Sequence, residues 1–485
     1  MNFRTALAAS TLAFGLAQAT VNYPFPQQST YDGRGIVLSD QASASSELAE
    51  QFAYYLSAYY REEGNYAGIN AYNTTSNSGE YYTEGLGYGM LMMVYFSTEE
   101  TSYQDQFDKL WNSYQYQMNS NGLASWKFGE LTSSGMTDWG GGGAATDAEM
   151  DVAAALVMAA YQFGDESYLT AAKTLIQNMK TYEFRSDYIE LPGDSWGDNN
   201  YQLNTSYFAP GYYELFASVD SDNGTFWGET ALDANYSLVE SVQAMYPSTY
   251  LMPGWIYTDG NSSTTITGTD EYYNYESPRF PWRMAVAYYW YGQSRAYTLN
   301  ANTATWVNNQ SASSVKGTIN CSTGAMGGDQ NSSFVASLMS TLAVGVGLDS
   351  TDYQTQLDAY WAQAVSLGEE EYFNESMKIL NGLAVSGNMP NLYVLANGIE
   401  INAPIAKAAT KNASLSLSVE SRVLRLNLPE AGRVDLVDLG GRAVRTLASN
   451  ASGNVSLSLE GVPSGVYMVR VKGKTMNAAQ KIAVK

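Results

Sequence analysis

The sequence predicts an all-α repeat domain arranged as a helical barrel, followed by a small β-sandwich-like module. Three observations carry this. Between about residues 40 and 405, apolar residues recur at helical spacing in one segment after another. Polar, glycine-rich loops separate these segments, and Trp, Tyr, Gly and Asp gather in the loops and at helix starts. Near Lys411 the pattern changes from helical to alternating.

The elements follow in order. Arg4, the small and apolar stretch 7–17 and Ala17-Gln18-Ala19 read as a secretory signal peptide over residues 1–19, the alternative being a buried first helix. Residues 20–37 carry Pro, Ser and Gln and are expected to be extended. A helix is expected over 46–60. A stronger one spans 147–163, with Val152, Leu156, Ala159 and Phe163 on one face. After the link 164–167 another covers 168–182, and the series continues with 207–217, 281–291, 351–368 and 370–385. The helical domain is therefore set at 20–405, with a site expected at one end of the barrel. In 411–485, the segments 415–419, 433–437, 455–459, 466–471 and 482–484 alternate as strands do. Gly440-Gly441 and Pro463-Ser464-Gly465 read as turns.

Composition narrows the function. The chain of 485 residues holds 48 acidic and 25 basic residues, a formal charge of −23. Such a chain avoids nucleic acid and anionic membranes, whereas a neutral polysaccharide is a compatible partner. The 45% apolar content and 39 tyrosines exclude a disordered chain. A single cysteine, Cys321, excludes an internal disulfide framework. The absence of histidine removes His triads, imidazole zinc sites and His bases, so acid–base chemistry falls to carboxylates. No stretch after the signal has the length and apolarity of a membrane span.

Three carboxylate clusters stand out. Glu84 lies among aromatics and glycines, from Tyr81 through Tyr88 to Met90. A carboxylic acid in a partly dry aromatic pocket can keep its proton near neutral pH, as a general acid must. A helix-start carboxylate that only satisfies amides has the same local pattern. Asp147 and Asp151 follow Gly140–Gly143 and share a helix face four residues apart, where they repel unless a ligand or cation uses them. Simple helix capping is the alternative. In the third cluster, Glu276 and Arg279 are spaced to pair, which would hold Glu276 ionised as a general base requires. Arg283 either ties loop to barrel or serves the same carboxylate, and a plain helix-start salt bridge is the other reading. Asp270 and Glu271 are the local alternative bases. Trp111, Trp126, Trp139, Trp196, Tyr207 and Trp227 are candidate sugar platforms, against a core role for each.

These clusters, in this order, resemble glycoside hydrolase family 8 over roughly residues 40–400. The segment Thr83-Glu84-Gly85-Leu86-Gly87-Tyr88-Gly89-Met90 resembles the one that carries the family's proton donor. Ala145-Thr146-Asp147-Ala148-Glu149 through Phe163 resembles the family signature, with Glu149 where Asp is usual. Asn204-Thr205-Ser206-Tyr207-Phe208-Ala209-Pro210 and Ser277-Pro278-Arg279-Phe280-Pro281-Trp282-Arg283 resemble two further motifs. The resemblance implies an (α/α)6 barrel and inverting, endo-acting hydrolysis of cellulose or mixed-linkage β-glucan, with xylan and chitosan as alternatives. It implies Glu84 as acid, Glu276 as base and Asp147 holding the distorted sugar. Trp126, Tyr207, Arg279, Trp139, Tyr88 and Arg283 are then expected at the substrate. The family's commonest subgroup has Asp where this chain has Glu276, so a non-catalytic glycan-binding barrel is the rival reading. A polysaccharide lyase is disfavoured by the acidic barrel. No cofactor or metal is expected, and the protein is expected to be a monomer. The end of the chain, around Gly461 to Tyr467, resembles terminal sorting modules of secreted bacterial proteins. That implies secretion machinery as a partner and a secreted or cell-surface location.

Overall fold

The computed structural model describes residues 20–485, except 73–76, 139, 197–200, 260–264, 345–349, 369, 402–416, 438–442, 474–476 and 485. The signal peptide expected over 1–19 and the turn expected at 440–441 lie outside the described residues. Twelve main helices build the first domain. They are α1 (Gln41–Ala58), α2 (Thr83–Phe96), α3 (Gln104–Tyr116), α4 (Thr146–Phe163), α5 (Glu166–Tyr182) and α6 (Pro210–Val219). Then come α7 (Leu232–Ala244), α8 (Arg279–Tyr291), α9 (Ser294–Val307), α10 (Ser332–Val344), α11 (Ser350–Ser366) and α12 (Tyr372–Val385), with a short α13 (Leu392–Ala396) behind them.

The even-numbered helices form the inner ring. Each touches the next, and α12 returns to α2, so the ring closes into an (α/α)6 barrel. The outer helices α3, α5, α9 and α11 pack on α2, α4, α8 and α10, α1 packs on α12, and α7 reaches α6 through a π-helical segment, Phe226–Ala231. Almost every residue of α2, α4, α8, α10 and α12 is buried. A helix buried on all sides needs small and apolar residues all round, which these sequences supply. Gly87 shows the fit: a Cβ there would lie 2.8 Å from Cβ of Asp151, so its absence lets α2 and α4 approach.

The segments expected only as polar loops contain short antiparallel sheets. They are β1 (Tyr60–Glu63) with β2 (Tyr66–Ile69); β3 (Tyr81–Tyr82), β4 (Lys127–Thr132) and β5 (Gly135–Asp138); β6 (Gln202–Asn204), β7 (Trp255–Thr258) and β8 (Ile266–Thr269); and β9 (Tyr272–Tyr273), β10 (Thr318–Asn320) and β11 (Met326–Gly327). β3 runs straight into α2, and β9 stands a few residues ahead of α8. These sheets give the loops around the inner-helix N-termini a hydrogen-bonded frame.

The second domain is one antiparallel sheet of β12 (Leu417–Glu420), β13 (Val423–Val437), β14 (Ala443–Ser458), β15 (Gly465–Gly473) and β16 (Asn477–Val484). The first half of β13 lies between β12 and β14, and its second half between β14 and β15. Register shifts along β13 and β14 bend the sheet. β16 pairs with β15 and touches β12, so the expected sandwich-like layering arises from one sheet curled into a nearly closed barrel. Leu424, Leu426, Val434, Leu436, Val469, Val471, Ile482 and Val484 fill it. Among the described residues no helix is long and apolar enough to cross a membrane.

Candidate active site

Arg279 is the centre of the site. It opens α8 and is almost wholly buried, yet its guanidinium meets three carboxylates. Nη2 donates to Oε2 of Glu84 at 2.5 Å, Nε lies 3.2 Å from Oδ2 of Asp147, and Nη1 donates to Oε2 of Glu276 at 3.3 Å. Glu84 comes from the first turn of α2 and Asp147 from that of α4. Three inner-helix N-termini therefore converge here, where the helix dipoles favour negative charge.

Each group is further fixed. Tyr372, the first residue of α12, donates its hydroxyl to Oε1 of Glu84. Tyr88 donates to Oε2 of Glu84 at 3.3 Å and accepts from Nε of Arg279 at 2.8 Å. Burial pushes the Asp147 carboxyl up to about 8; the Arg279 cation opposes this and the Glu84 charge adds to it. Beneath Asp147, Arg283 holds Asp151 at 2.9 Å and the Tyr207 carbonyl at 2.5 Å, and also reaches the Asp147 carbonyl.

Tyr82, Thr83, Glu84, Trp126, Ala145, Asp147, Trp196, Tyr207, Glu276 and Arg279 line a cleft of about 230 Å³. Trp126 stacks on Tyr82 with ring centroids 5.7 Å apart and planes 5° from parallel, and Trp196 meets Trp126 edge-on at 6.4 Å. The loops are tied together there: the Thr83 amide donates to the Trp126 carbonyl and the Trp126 amide to that of Gly143. A larger hollow of about 630 Å³ lies between the π-helical segment and the start of α9, but its charges already pair, Arg295 with Asp233 and Glu240. The chemistry belongs to the smaller cleft.

Of the residues expected at the site, Glu84, Asp147, Glu276, Arg279, Trp126 and Tyr207 come together in it. Tyr88 and Arg283, expected at the substrate, lie behind the cleft wall and position the groups that line it. Trp139 lies outside the described residues. Asp270 is not in the cleft lining: its Oδ2 accepts from the Trp255 amide at 3.2 Å and from Asn274 at 2.7 Å. Glu271 is exposed, at a left-handed φ of 62°. Among the other platform candidates, Trp196 is in the cleft, Trp227 is core and Trp111 stacks on Tyr114 of α3. Tyr82 and Tyr372 went unseen in the sequence. Tyr82 adjoins the Glu84 segment and was legible as a neighbour, while Tyr372 lies 288 positions from its partner with no local mark.

Carboxylates gathered in an aromatic cleft, at the N-terminal ends of the inner helices of a closed helical barrel, are the equipment of a glycan-cleaving enzyme. The chain belongs to glycosyl hydrolases family 8, whose model matches residues 24–387. A secretion system C-terminal sorting domain matches residues 416–485. The chain is 30% identical to "Endoglucanase 2" of Ruminiclostridium josui, over 78% of this chain and 79% of that protein. It is 28% identical to "Endoglucanase A" of Acetivibrio thermocellus, over 80% and 78%. Among solved structures, the apo β-1,3-1,4-glucanase from Paenibacillus sp. X4 superposes with a TM-score of 0.68 at 24% identity, over 76% of this chain and 98% of that one.

Proposed function

We propose that the protein is a secreted, endo-acting hydrolase that cleaves β-1,4 linkages of cellulose or mixed-linkage β-glucan with inversion. The observation that carries this is the single Arg279 guanidinium bonded to Glu84, Asp147 and Glu276 within one aromatic cleft. Glu84 donates its proton to the leaving glycosidic oxygen as the C–O bond breaks. Glu276 takes a proton from the water that attacks the anomeric carbon from the opposite face. Inversion calls for carboxyls roughly 6.5–9.5 Å apart, which leaves room for that water between them. Asp147 binds a ring hydroxyl and favours the distorted sugar. Trp126 and Trp196 offer flat faces to neighbouring sugar rings. After each turnover the proton on Glu276 returns to solvent and Glu84 is reprotonated. Residues 1–19 act as the export signal, and the curled β domain engages the secretion machinery.

The test is reducing-sugar release from carboxymethylcellulose, lichenan, xylan and chitosan by the mature protein and by Glu84→Gln. Release from the two glucans, reduced about 10²–10⁴-fold by the substitution, is expected for loss of a general acid. Equal release by both proteins would remove Glu84 from that role. Release from xylan or chitosan alone would overturn the substrate assignment. Binding without release would favour a glycan-binding barrel.

A further inference from the structure

Glu276 is one methylene longer than the Asp it replaces in the family's commonest subgroup, and the structure contains a cradle shaped to that length. Nδ2 of Asn204 donates to Oε2 of Glu276 at 3.0 Å, the same oxygen that Arg279 holds. The amide of Asn204 has one orientation because its Oδ1 accepts from both the amide and the hydroxyl of Ser206, each at 2.9 Å. Both donors fall on Oε2, which leaves Oε1 as the oxygen that would accept from the attacking water. Asn204 ends β6 and pairs in register with Trp255 of β7, which fixes its height beside the cleft.

The backbone of Glu276 is seated as closely. A Cβ on Gly254 would lie 2.4 Å from Cβ of Glu276 and 2.8 Å from Oδ1 of Asn274, so only glycine fits there. The Glu276 amide donates to Oδ1 of Asn274 at 3.0 Å, and Asn274 in turn donates to Asp270 at 2.7 Å. Asp270 also accepts from the Trp255 amide, which returns the chain of contacts to β7.

We propose that Asn204 positions a glutamate base by gripping its carboxylate at the length of Glu rather than Asp, while Gly254 and the Asp270–Asn274 pair seat the backbone of residue 276. The proposal rests on the reading of Glu276 as the base. Asn204 is a positioning residue, since it acts through Glu276.

The experiment measures kcat and KM on lichenan, with thermal stability, for Glu276→Ala, Glu276→Asp, Asn204→Ala and the Asn204→Ala/Glu276→Asp double variant. Glu276→Asp and Asn204→Ala are each expected to lower kcat by about tenfold or more with KM nearly unchanged, since misplacement of the base on the order of 1 Å costs rate rather than binding. The double variant is expected to be no slower than Glu276→Asp alone, because the shorter side chain no longer reaches Asn204. Full activity in Glu276→Asp, wild-type kcat in Asn204→Ala, or losses that multiply in the double variant would overturn the cradle while leaving the base intact. Activity retained in Glu276→Ala would overturn the base assignment itself, and the cradle with it. If Asn204→Ala does not fold, Glu276→Asp alone decides, because it leaves every cradle residue in place.

Discussion

At the scale of single residues, Arg279 explains why three carboxylates can share one small cleft. Asp147 is almost fully buried, and Glu84 and Glu276 are partly exposed beside it. Without a cation such a group repels itself, and desolvation raises the cost. Arg279→Ala is expected to lower folding stability by about 3–5 kcal/mol, mostly through Asp147, and to abolish hydrolysis. Arg279→Lys restores a charge but only a compact point donor in place of a fork that reaches three partners. It is expected to recover part of the stability in denaturant unfolding and little of the rate. Recovery of wild-type kcat by Lys would show that charge alone, not the fork geometry, organises the site. Glu84, Asp147, Glu276 and Arg279 were legible in the sequence because each sits in a local string whose glycines, prolines or aromatics set it apart. Tyr372 was not, because its only mark is a hydroxyl that reaches Glu84 on the neighbouring inner helix, 288 positions away. The Asn204 string was visible, but its grip on Glu276 is a tertiary contact between β6 and the loop before α8.

At the scale of elements, two helices with a wet face were read well, 168–182 against Glu166–Tyr182 and 351–368 against Ser350–Ser366, whereas α3, α7 and α9 were not expected. α10 was not expected either: all thirteen of its residues are buried, and it lacks the Asp or Pro start that marks the equally buried α4 and α8. The small sheets of two to six residues escaped because their register comes from the barrel rim and not from alternation. The start of α4 and the end of α5 hold a buried acid group that no local pattern announces. Among the described residues, Oε2 of Glu149 and both oxygens of Glu183 lack a partner of good hydrogen-bond geometry, although the Thr146 hydroxyl lies near Glu183. Burial, then the charges of Glu149 and Glu190, hold the Glu183 carboxyl well above its ordinary range; Thr146 and Asp194 also face it. Glu149 is raised by burial too, against its bond from Tyr114. Burial takes Glu190 to about 7 and Asp151 to about 6, each opposed by Arg283 and a tyrosine. A carboxyl whose folded value is raised supports the fold below the ordinary carboxylate range and loses that support as pH rises through the folded value. The protein is therefore expected to lose stability as pH rises above about 4, through about 6 and 7 where Asp151 and Glu190 ionise and further where Glu183 and Glu149 do. Glu183→Gln mimics the protonated acid and is expected to flatten the fall of Tm with pH. An unchanged slope in scanning calorimetry would show that Glu183 does not keep its proton.

At the scale of the whole molecule, charge is divided unevenly. Residues 1–410 carry 43 acidic and 14 basic residues, whereas residues 411–485 carry 5 and 11. The two domains also have separate apolar cores. The excess negative charge therefore belongs to the domain that holds the cleft, and its field acts on any substrate approaching it. A neutral glucan does not respond to that field, but carboxymethylcellulose is an anion and is repelled by it. The range of the repulsion shrinks from about 30 Å at 0.01 M salt to about 8 Å at 0.15 M. Raising salt across that interval is expected to increase kcat/KM on carboxymethylcellulose severalfold while leaving lichenan nearly unchanged. The effect should fall on kcat/KM, which includes encounter, and spare kcat, which is set within the bound complex. Parallel salt curves for the two polymers would show that the acidic surface lies away from the approach to the cleft, and that Arg279 with its three carboxylates is screened from the rest of the domain.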